Sequence, residues 1–488
     1  MGTLGDSERN SNLVAQDISL PTSTIASQCA IPAESVRVEI MRLGVVLLAG
    51  LIVRLVLLWR FAGVGLAIHD ERDYDQLAVS IVERGEFGFS PGELTSIRPP
   101  LYPALVAGIY CVCGLQNYQA VRAMQIVLSL ATTALVYLLA RRMYDERVAS
   151  VAATIHCLYP SLLGAADMVL TETVFTLLLC GFLVLIERYF ASPSRLTLAT
   201  AGVMLGLAAL TRSVVWLFPL FAVLTIITFS RNRTLLGRIG SAAPLMLGFV
   251  LTLAPWTVRN TLLQQTFTTV DVMGGRNMMM GNYEFTPAYR PWAAIEIEGD
   301  EAWHAVLSRA HGGLAGKTQG QIDKLAMKYA LGYMLDHPSQ TVRRSTAKLL
   351  HFWQLERELV AGAKQGIWGP FSTPAVVALA AVIMGAYAVT ILLGVFGVVL
   401  APPKSLAMHA FLLVLVGFVT ALHCVAFAHS RYHLPLMPIV MIYAAAAWVQ
   451  RREITGKWRS WPFAAAATVS LVLVASWVAD IAFEAGRF

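Results

Sequence analysis

The stretch IHDERDYDQLAVSIVERG, residues 68–85, contains a cluster of acidic residues directly after a long apolar segment. From position 74 onward its apolar residues recur at positions 74, 77, 78, 81 and 82, which form one face of a helix. The opposite face is polar, and a glycine at position 85 suits a helix end. The pattern predicts an amphipathic helix that lies on the membrane surface.

The acidic residues of this stretch fall into two groups. Asp70 and Glu71 come just before the predicted helix, near its positive N-terminal end, where the helix dipole helps a carboxylate stay ionised. We expect this pair to be functional. For Asp73, Asp75 and Glu83 we expect only solvation and capping of the helix.

The composition defines the class of protein. Of 488 residues, 57% are hydrophobic and only 14% are charged, which indicates a polytopic membrane protein. The formal net charge of +7 does not indicate nucleic-acid binding, since the basic residues lie in short loops where they set topology. The six cysteines show neither metal-ligand spacing nor a disulfide framework.

Twelve apolar runs follow the N-terminal tail: 42–61, 99–116, 119–140, 148–166, 169–187, 197–211, 213–229, 239–256, 375–400, 406–427, 433–449 and 461–483. Basic links near positions 141, 187, 230, 401 and 450 are expected in the cytoplasm. If the N-terminal tail is also cytoplasmic, the chain must cross the membrane an odd number of times between residues 62 and 141, although two apolar runs lie there. The run 99–116 is short and opens with two prolines. We predict that it is a re-entrant or interfacial helix, which leaves eleven spans and an external C-terminus. The alternative is that all twelve runs cross and one loop breaks the charge rule.

These boundaries divide the chain into four regions. Residues 1–36 are polar and lack a signal-peptide core, so we expect a disordered cytoplasmic tail. Residues 37–256 form a transmembrane module that includes the outer loop 62–118. Residues 257–374 are expected to form a small extracytoplasmic subdomain, and 375–488 to form the C-terminal transmembrane helices.

Two patterns stand out within the predicted subdomain. QIDKLAMKYALGYMLDHP, from position 321, has apolar residues at helical spacing and should end before Pro338. GGRNMMMGN, residues 274–282, is rich in glycine and asparagine, and we expect a tight-turn loop.

The outer-loop motifs resemble those of a known superfamily. DERDYDQLAVSIVERGEF followed by RPPLYPALVAGIY is similar to the first outer loop of GT-C glycosyltransferases, in particular protein O-mannosyltransferases and lipid A aminoarabinose transferases (the family 39-like enzymes). The residues that match are Asp70, Glu71, Tyr74, Gly85 and Pro99-Pro100-Leu101. The resemblance continues at DMVLTETVFTLLL, GLAALTRSVVWLFP, PWTVRN, GGRNMMMGN and SRYHLPLMPIVMIYAA. It implies an all-α polytopic GT-C fold with about 11 (11–13) transmembrane helices and interfacial helices in the first outer loop.

The resemblance also implies an activity. Such enzymes move a sugar from a polyprenyl phosphate to an acceptor on the extracytoplasmic face. The displacement needs a carboxylate that takes the acceptor proton, and cations that stabilise the phosphate leaving group. By resemblance Asp70 is the base and Glu71 its neighbour that orients the acceptor. Asp167 and Glu172, at the second outer turn, correspond to a second acidic site, although acids at a bilayer edge can also simply mark the boundary.

Arginines on the outer side are the candidate phosphate ligands. Arg98, Arg212 and Arg431 lie in or beside apolar stretches, where an arginine is costly without a partner. The alternative is snorkelling to lipid headgroups. Arg259, His433 and Arg276 are weaker candidates, and Arg54, within the first apolar run, has no evident role.

Several properties stay open or rest on expectation alone. We expect no tightly bound cofactor and no metal, a lipid-linked sugar as co-substrate, an unknown glycan, lipid or protein acceptor, and a bacterial inner membrane location. One alternative is an O-antigen-type polymerase, which the arginines of the long outer loop allow but the acidic first loop disfavours. A second is a lipid-linked sugar flippase or transporter, although internal repeats, which are typical of transporters, are not evident.

Overall fold

The computed structural model describes residues 33–230 and 234–485. It divides into two units, Met1–Arg42 and Leu43–Phe488. The described part of the first unit is the beginning of helix α1, Ala33–Arg60, which continues into the second unit. Most of the predicted disordered tail, residues 1–32, and the middle of the basic link near position 230 lie outside the described residues.

Helices account for nearly all the regular structure. We call the loop after α1 the outer loop, and residues 257–374 the outer subdomain, after the side of the membrane expected from the sequence. The outer loop contains α2 His69–Arg84, β1 Gly88–Ser90, β2 Glu93–Leu94 and α3 Leu101–Cys113. The bundle that follows consists of α4 Tyr118–Met143, α5 Glu146–Leu158, α6 Pro160–Asp167, α7 Glu172–Ala191, α8 Arg195–Thr211, α9 Phe218–Phe229 and α10 Leu235–Gln264. The outer subdomain carries α11 Gly274–Gly281, α12 Trp303–Ala310, α13 Gln319–Asp336, α14 Pro338–Phe352 and α15 Glu358–Lys364. The chain continues with α16 Thr373–Leu400, α17 Leu406–Val425, α18 Met437–Val449, α19 Arg451–Gly456 and α20 Trp461–Ala485. Short 3₁₀ helices occur at Ser213–Val215, Pro291–Glu296, Gly299–Glu301 and Ser430–Leu436.

The number of membrane spans depends on how the shorter helices are counted. Within the described ranges, eight helices are long and apolar enough to cross a membrane, and α5 with α6, bent by 49° at their junction, would make a ninth. Leu101–Cys113, Arg195–Thr211 and Ser213–Phe229 are apolar but shorter. Adding the last two of these to the nine gives the eleven spans expected from the sequence, with α3 left as the interfacial helix. The all-α membrane architecture is thus confirmed, while the exact count stays a prediction.

Glycines allow α8 and α10 to pack with their backbones in close contact. A Cβ atom built on Gly202 would lie 2.1 Å from the carbonyl oxygen of Leu245, and one on Gly248 would lie 2.2 Å from that of Ala199. Small residues at such a crossing let two membrane helices approach closely and gain van der Waals contact. This contact fixes the outer ends of α8 and α10, from which two arginines, Arg212 and Arg259, extend.

The buried Arg54 of α1 stabilises the bend between α5 and α6. Its guanidinium donates to the carbonyl oxygen of Cys157 at 2.9 Å, to that of Gly50 at 3.1 Å and to the Ser129 hydroxyl at 2.8 Å. Proline at position 160 starts α6, so α5 ends at Leu158 and leaves carbonyl groups without helical partners. A cation is favourable at such a helix C-terminus. Arg54, which had no evident role in the sequence, is therefore a partner for other helices.

The helix predicted after the first apolar run is confirmed, with one difference at its start. Helix α2 begins at His69, so Asp70 and Glu71 lie in its first turn rather than before it. Its apolar face packs on α3 and on the outer ends of α4 and α7 around Tyr74, Tyr102 and Tyr110. Gly85 ends the helix with a positive φ of 66°.

The outer subdomain corrects one sequence prediction and confirms another. Residues 274–281 form helix α11 and not a tight-turn loop, because the Asp323 carboxylate accepts hydrogen bonds from the backbone N–H groups of Gly275 (2.7 Å) and Arg276 (3.0 Å) at its start. The methionines of α11 are buried against α12 and α13. Helix α13 ends at Asp336, as the sequence predicts. Helix α10 continues to Gln264, beyond the apolar run that ends at 256.

Candidate active site

Three carboxylates and three arginines alternate along one continuous chain of ion pairs, which we call the ion-pair cluster: Asp73, Arg98, Asp70, Arg431, Glu172 and Arg212. Arg98 donates to Asp73 at 2.7 Å and to one oxygen of Asp70 at 2.6 Å. Arg431 approaches the other oxygen of Asp70 at 3.2 Å. Asp70 therefore lies between two guanidinium groups.

The second half of the cluster centres on Glu172. Its Oε1 accepts from Arg431 Nε at 2.6 Å and lies 2.8 Å from Arg212 Nη1. Arg212 also donates to the Thr171 hydroxyl at 3.2 Å, and its guanidinium lies over the Tyr432 ring, 5.7 Å from the centroid. Glu172 is 1% exposed, whereas the Asp70 side chain is 34% exposed. Asp70 is thus the carboxylate at the centre of the cluster that an incoming molecule can reach.

The cluster joins elements that are far apart in sequence. Asp70 and Asp73 are three residues apart on α2 and so share one face of the helix. Arg98 comes from the turn before α3, Glu172 from the first turn of α7 and Arg212 from the end of α8. The formal charges of the cluster sum to zero. Partly buried charges gain little stability from pairing because desolvation offsets it, so such a network is better explained by function.

Asp73 and Asp75 do not play the solvating role expected from the sequence. Asp73 binds Arg98 by two hydrogen bonds, to Nε and Nη2. Asp75 is buried and accepts from the hydroxyl of Tyr110 at 2.7 Å and the amide of Gln116 at 2.9 Å. Neither carboxylate is open to water, although the two residues point to different sides of α2. The Glu83 side chain is 49% exposed, in agreement with the expectation.

The other two predicted acids lie outside the ion-pair cluster. Glu71 is buried and accepts from the backbone N–H groups of Ala67 (2.8 Å), Ile68 (3.2 Å) and Val169 (2.9 Å). It thereby ties the start of α2 to the turn before α7. Asp167 ends α6 and is buried, and its carboxylate accepts no hydrogen bond from the residues that the structure describes.

Arg259 and His433 also lie beside the cluster instead of within it. Arg259 donates to the carbonyl oxygen of Thr95 at 2.6 Å and to the Ser96 hydroxyl at 3.2 Å, so it holds the outer loop near Arg98. His433 is fully buried and contacts the Phe352 carbonyl and Glu356.

Electrostatics keep Asp70 ionised. Burial raises the pKa of this carboxyl, but Arg98 and Arg431 together lower it by more, so the pKa lies below its ordinary value. In contrast, burial raises the pKa of Asp271 to about 6, against the weaker opposing effect of hydrogen bonds from Ser213 and Met273. Asp271 lies near Arg98, since Val272 donates its backbone N–H to the Ser96 carbonyl at 3.0 Å.

Arg276 lies beside the cluster and has no acidic partner among the described residues. Its guanidinium lies over the Trp303 ring, 5.6 Å from the centroid, and its Nε is buried without a hydrogen bond. Burial and the nearby Arg98 lower the pKa of Arg276, while Asp73 and Asp70 act in the opposite direction. A guanidinium without an ion-pair partner, at the edge of a neutral cluster, can bind an anion.

A small cavity, with room for little more than a water molecule, lies beside Arg212 and Tyr432. Its remaining wall is almost entirely apolar and comes from α7, α17 and the segments after Arg212 and Tyr432: Phe175, Leu179, Val214, Val215, Val419, His423, Pro435 and Leu436.

The sequence located the principal charges and missed several of their partners. It singled out Asp70, Glu172 and the three arginines, all of which meet in the cluster. It missed Asp73, although the three-residue spacing from Asp70 was a usable signal. It also missed the buried Arg122, which donates to the carbonyl oxygens of Asp167 and Val64, both at 2.8 Å. In the part of the chain that the structure describes, no group of three or more His, Cys, Asp or Glu side chains is arranged to hold a metal ion.

The chain matches a family model over one third of its length. Residues 97–258 match the family described as dolichyl-phosphate-mannose-protein mannosyltransferase. This segment includes Arg98, Asp167, Glu172 and Arg212, but neither Asp70 nor Arg431. No curated protein sequence matches the chain significantly.

Solved structures with a similar arrangement of helices come from bacteria and archaea. The oligosaccharyltransferase of Archaeoglobus fulgidus in its apo form is 14% identical, with a TM-score of 0.51 over 90% of this chain and 55% of that chain. The chain thus spans about half the length of the archaeal protein. ArnT from Cupriavidus metallidurans in the apo state is 15% identical, with a TM-score of 0.37 over 83% of this chain and 79% of that chain. The same ArnT bound to undecaprenyl phosphate is 14% identical, with a TM-score of 0.36 over 88% and 80%.

The fold and the site define a polytopic helical membrane protein with an acidic and arginine-rich centre at one end of its bundle. With the family match, they confirm the resemblance to the GT-C superfamily of membrane glycosyltransferases.

Proposed function

We propose that this protein transfers a sugar from a polyprenyl-phosphate-linked donor to an acceptor hydroxyl on the extracytoplasmic face of a membrane. The observation that carries the proposal is the position of Asp70, a partly exposed carboxylate held between Arg98 and Arg431. The reaction needs a base and phosphate-binding cations within one site, and this arrangement supplies both.

The reaction is a single displacement that inverts the anomeric carbon. The acceptor oxygen forms a bond to that carbon as the bond to the phosphate oxygen breaks. Asp70 takes the acceptor proton, and the polyprenyl phosphate leaves with the electron pair and one additional negative charge. Arginines compensate this charge because guanidinium groups bind phosphate oxygens in a bidentate fashion.

Donor binding also prepares the base. In the described state the low pKa of Asp70 makes it a weak base, because two arginines stabilise its ionised form. A phosphate that draws Arg431 and Arg98 toward itself weakens this stabilisation and raises the pKa of Asp70. The carboxylate then becomes a stronger base only when the donor is in place.

Further groups complete the donor site. Arg276 has no acidic partner among the described residues and supplies a cation that is not already neutralised. Arg212 is ion-paired with Glu172 and lies beside a small apolar cavity, so it supplies a second cation next to an apolar wall. We assign positioning roles to Glu71 and Arg259, since their polar atoms hold backbone groups around the cluster.

The remaining parts of the proposal follow from the sequence. The charge distribution of the loops favours an extracytoplasmic site, and the short loops favour a bacterial inner membrane. The sugar transferred is a hexose or a pentose, and the acceptor is a glycan, a lipid or a protein. We expect activity without a metal ion, because a monophosphate leaving group can be stabilised by arginines.

Native mass spectrometry of the protein extracted with its lipids tests this function. A bound polyprenyl monophosphate, with or without one sugar, would support the transferase and name the donor. A bound diphosphate-linked oligosaccharide would instead favour a polymerase or a flippase. Transfer from a purified polyprenyl-phosphate sugar, measured in the presence of a chelator, then tests the expected metal independence.

A further inference from the structure

The segment that carries Arg431 is held by a second set of side chains that the proposed chemistry does not use. Arg431 lies in the short 3₁₀ helix Ser430–Leu436. On either side of it, His429, Ser430 and His433 point to two carboxylates, Glu358 at the start of α15 and Glu356 in the link between α14 and α15. His429 lies 3.3 Å from Glu358, Ser430 donates to the same carboxylate, and His433 lies 3.0 Å from Glu356.

The Glu356–His433 contact is fully buried. The two side chains are 2% and 0% exposed. Nδ1 of His433 lies 2.6 Å from the Phe352 carbonyl oxygen, which can only accept, so this nitrogen donates. Nε2 of the same ring lies 3.0 Å from Glu356 Oε1, within hydrogen-bond distance. Removal of the carboxylate leaves a buried ring nitrogen without a partner, which is costly.

Aromatic packing fixes the imidazole in one orientation. The ring stacks on Trp353 with centroids 5.7 Å apart and planes 7° apart, and on Tyr387 with centroids 5.0 Å apart and planes 28° apart. His433 is therefore held by polar contacts at both nitrogens and by two stacked rings. Arg431 lies two residues earlier in the same 3₁₀ helix, so the fixed position of His433 also restrains the backbone of Arg431.

We propose that Glu356 and His433 form a positioning device, through which the α14–α15 link of the outer subdomain holds Arg431 between Asp70 and Glu172. Arg431 bridges the two halves of the ion-pair cluster, so a small displacement of its turn separates the base from the second carboxylate. The inference deepens the proposed function, because it rests on phosphate binding by Arg431.

A ligand-free measurement tests the positioning itself. Hydrogen–deuterium exchange of the peptide around 429–436 is compared in wild type, Glu356→Ala, Glu356→Gln and Glu187→Gln. Exchange should be faster in Glu356→Ala and near wild type in Glu356→Gln, since the glutamine amide can donate to Nε2 of the histidine. Glu187→Gln is the matched control, because Glu187 is also a buried carboxylate and pairs with Arg142 on α4 instead of the turn or the α14–α15 link. Unchanged exchange in Glu356→Ala would overturn the inference.

Binding of a polyprenyl monophosphate tests the link to Arg431. We expect about tenfold weaker binding in Glu356→Ala, equivalent to about 1.4 kcal/mol, and recovery in Glu356→Gln. In an Arg431→Ala background, Glu356→Ala should cause no further loss, because the glutamate acts through the missing arginine. An equal loss in both backgrounds would show a general structural effect and reject the device. If wild type binds no polyprenyl phosphate, the proposed function fails, while the exchange experiment still decides the inference.

Discussion

At the scale of single residues, Asp70 differs from its acidic neighbours in what it contacts and in what can reach it. Glu71 is saturated by backbone amides, and Glu172 is almost completely enclosed by its arginines. Asp70 shares two arginines and keeps a third of its side chain exposed. A catalytic base must be accessible to the acceptor, and its pKa must respond to the bound substrate. Asp70 is partly exposed and is paired with two arginines that a phosphate can attract, so it meets both requirements.

The first prediction concerns this carboxylate. Asp70→Asn should lower the rate of sugar transfer by about 10²-fold or more, the range that general base catalysis contributes. The amide is isosteric but cannot take the proton. Transfer from a radiolabelled donor measures the rate, and Glu83→Gln on the exposed face of the same helix is the control. Wild-type activity in Asp70→Asn would rule out its role as base.

The second prediction concerns Lys348, a buried amine in the outer subdomain. Its Nζ donates to Asn282 Oδ1 at 2.8 Å and to the Val425 carbonyl at 3.0 Å, so it has only neutral acceptors. Burial, aided by the nearby Arg344, lowers the pKa of Lys348 to about 7. The unfolded chain therefore binds a proton that the folded protein releases between pH 7 and about 10.4, the ordinary lysine value.

Stability should consequently rise with pH over this interval, with a limiting slope of about 1.4 kcal/mol per pH unit from this one group. Below pH 7 the contribution of Lys348 becomes constant, because both states are protonated. Thermal unfolding in detergent at pH 7 and pH 9 measures the difference. It should shrink in Lys348→Met and persist in Lys317→Met, where the side chain is exposed. The same pH dependence in both variants would refute the assignment.

At the scale of elements, close helix contacts place the arginines of the site. Helices α8 and α10 approach through Gly202 and Gly248, and Arg212 and Arg259 lie at or near their outer ends. A side chain at either glycine meets backbone atoms, which cannot move aside as a flexible side chain can. Packing inside the bundle therefore controls the geometry of a site at its edge.

The third prediction tests this contact. Gly248→Ala should lower the melting temperature by several degrees, since overpacking typically costs about 1–3 kcal/mol. Gly240→Ala in the same helix is the control, because a Cβ atom there meets no neighbour within 4 Å. That change should be neutral or slightly stabilising, in line with helix propensity. Equal melting temperatures for the two variants would contradict the close approach.

At the scale of the whole molecule, the ion-pair cluster lies where the first outer loop, the bundle and the outer subdomain meet. Gln319 at the start of α13 accepts from Thr95 and Ser96 of the outer loop at 3.0 and 3.2 Å. These contacts join regions more than 200 residues apart and place them on one side of the membrane.

The fourth prediction is that this side is extracytoplasmic. A cysteine at Asp300, whose side chain is 99% exposed, should react with a membrane-impermeant maleimide in intact cells. A cysteine at Lys457, in the link between α19 and α20, should react only after permeabilisation. Cys111 and Cys113 are exposed and are first replaced by serine. Labelling of Lys457→Cys alone in intact cells would reverse the orientation.

The sequence by itself determined the class of protein, most helices and the main charges of the site. Apolar runs and periodic faces report local preferences, which the chain keeps in the folded state, as α2 and α13 illustrate. Charged residues in apolar surroundings are costly, so Asp70, Glu172, Arg98, Arg212 and Arg431 stood out before any contact was known.

Only the tertiary structure decided how these charges pair. Arg431 lies 361 residues from Asp70 and 259 from Glu172, and no local pattern encodes which carboxylates it meets. Asp73 and Asp75 are not the solvated residues that the sequence predicted, for the same reason. Their partners Arg98 and Tyr110 follow α2 in the sequence and meet it only in the folded protein. Residues 274–281 became a helix because Asp323, on α13, caps its start. Long-range packing, and not local propensity, assembled the site.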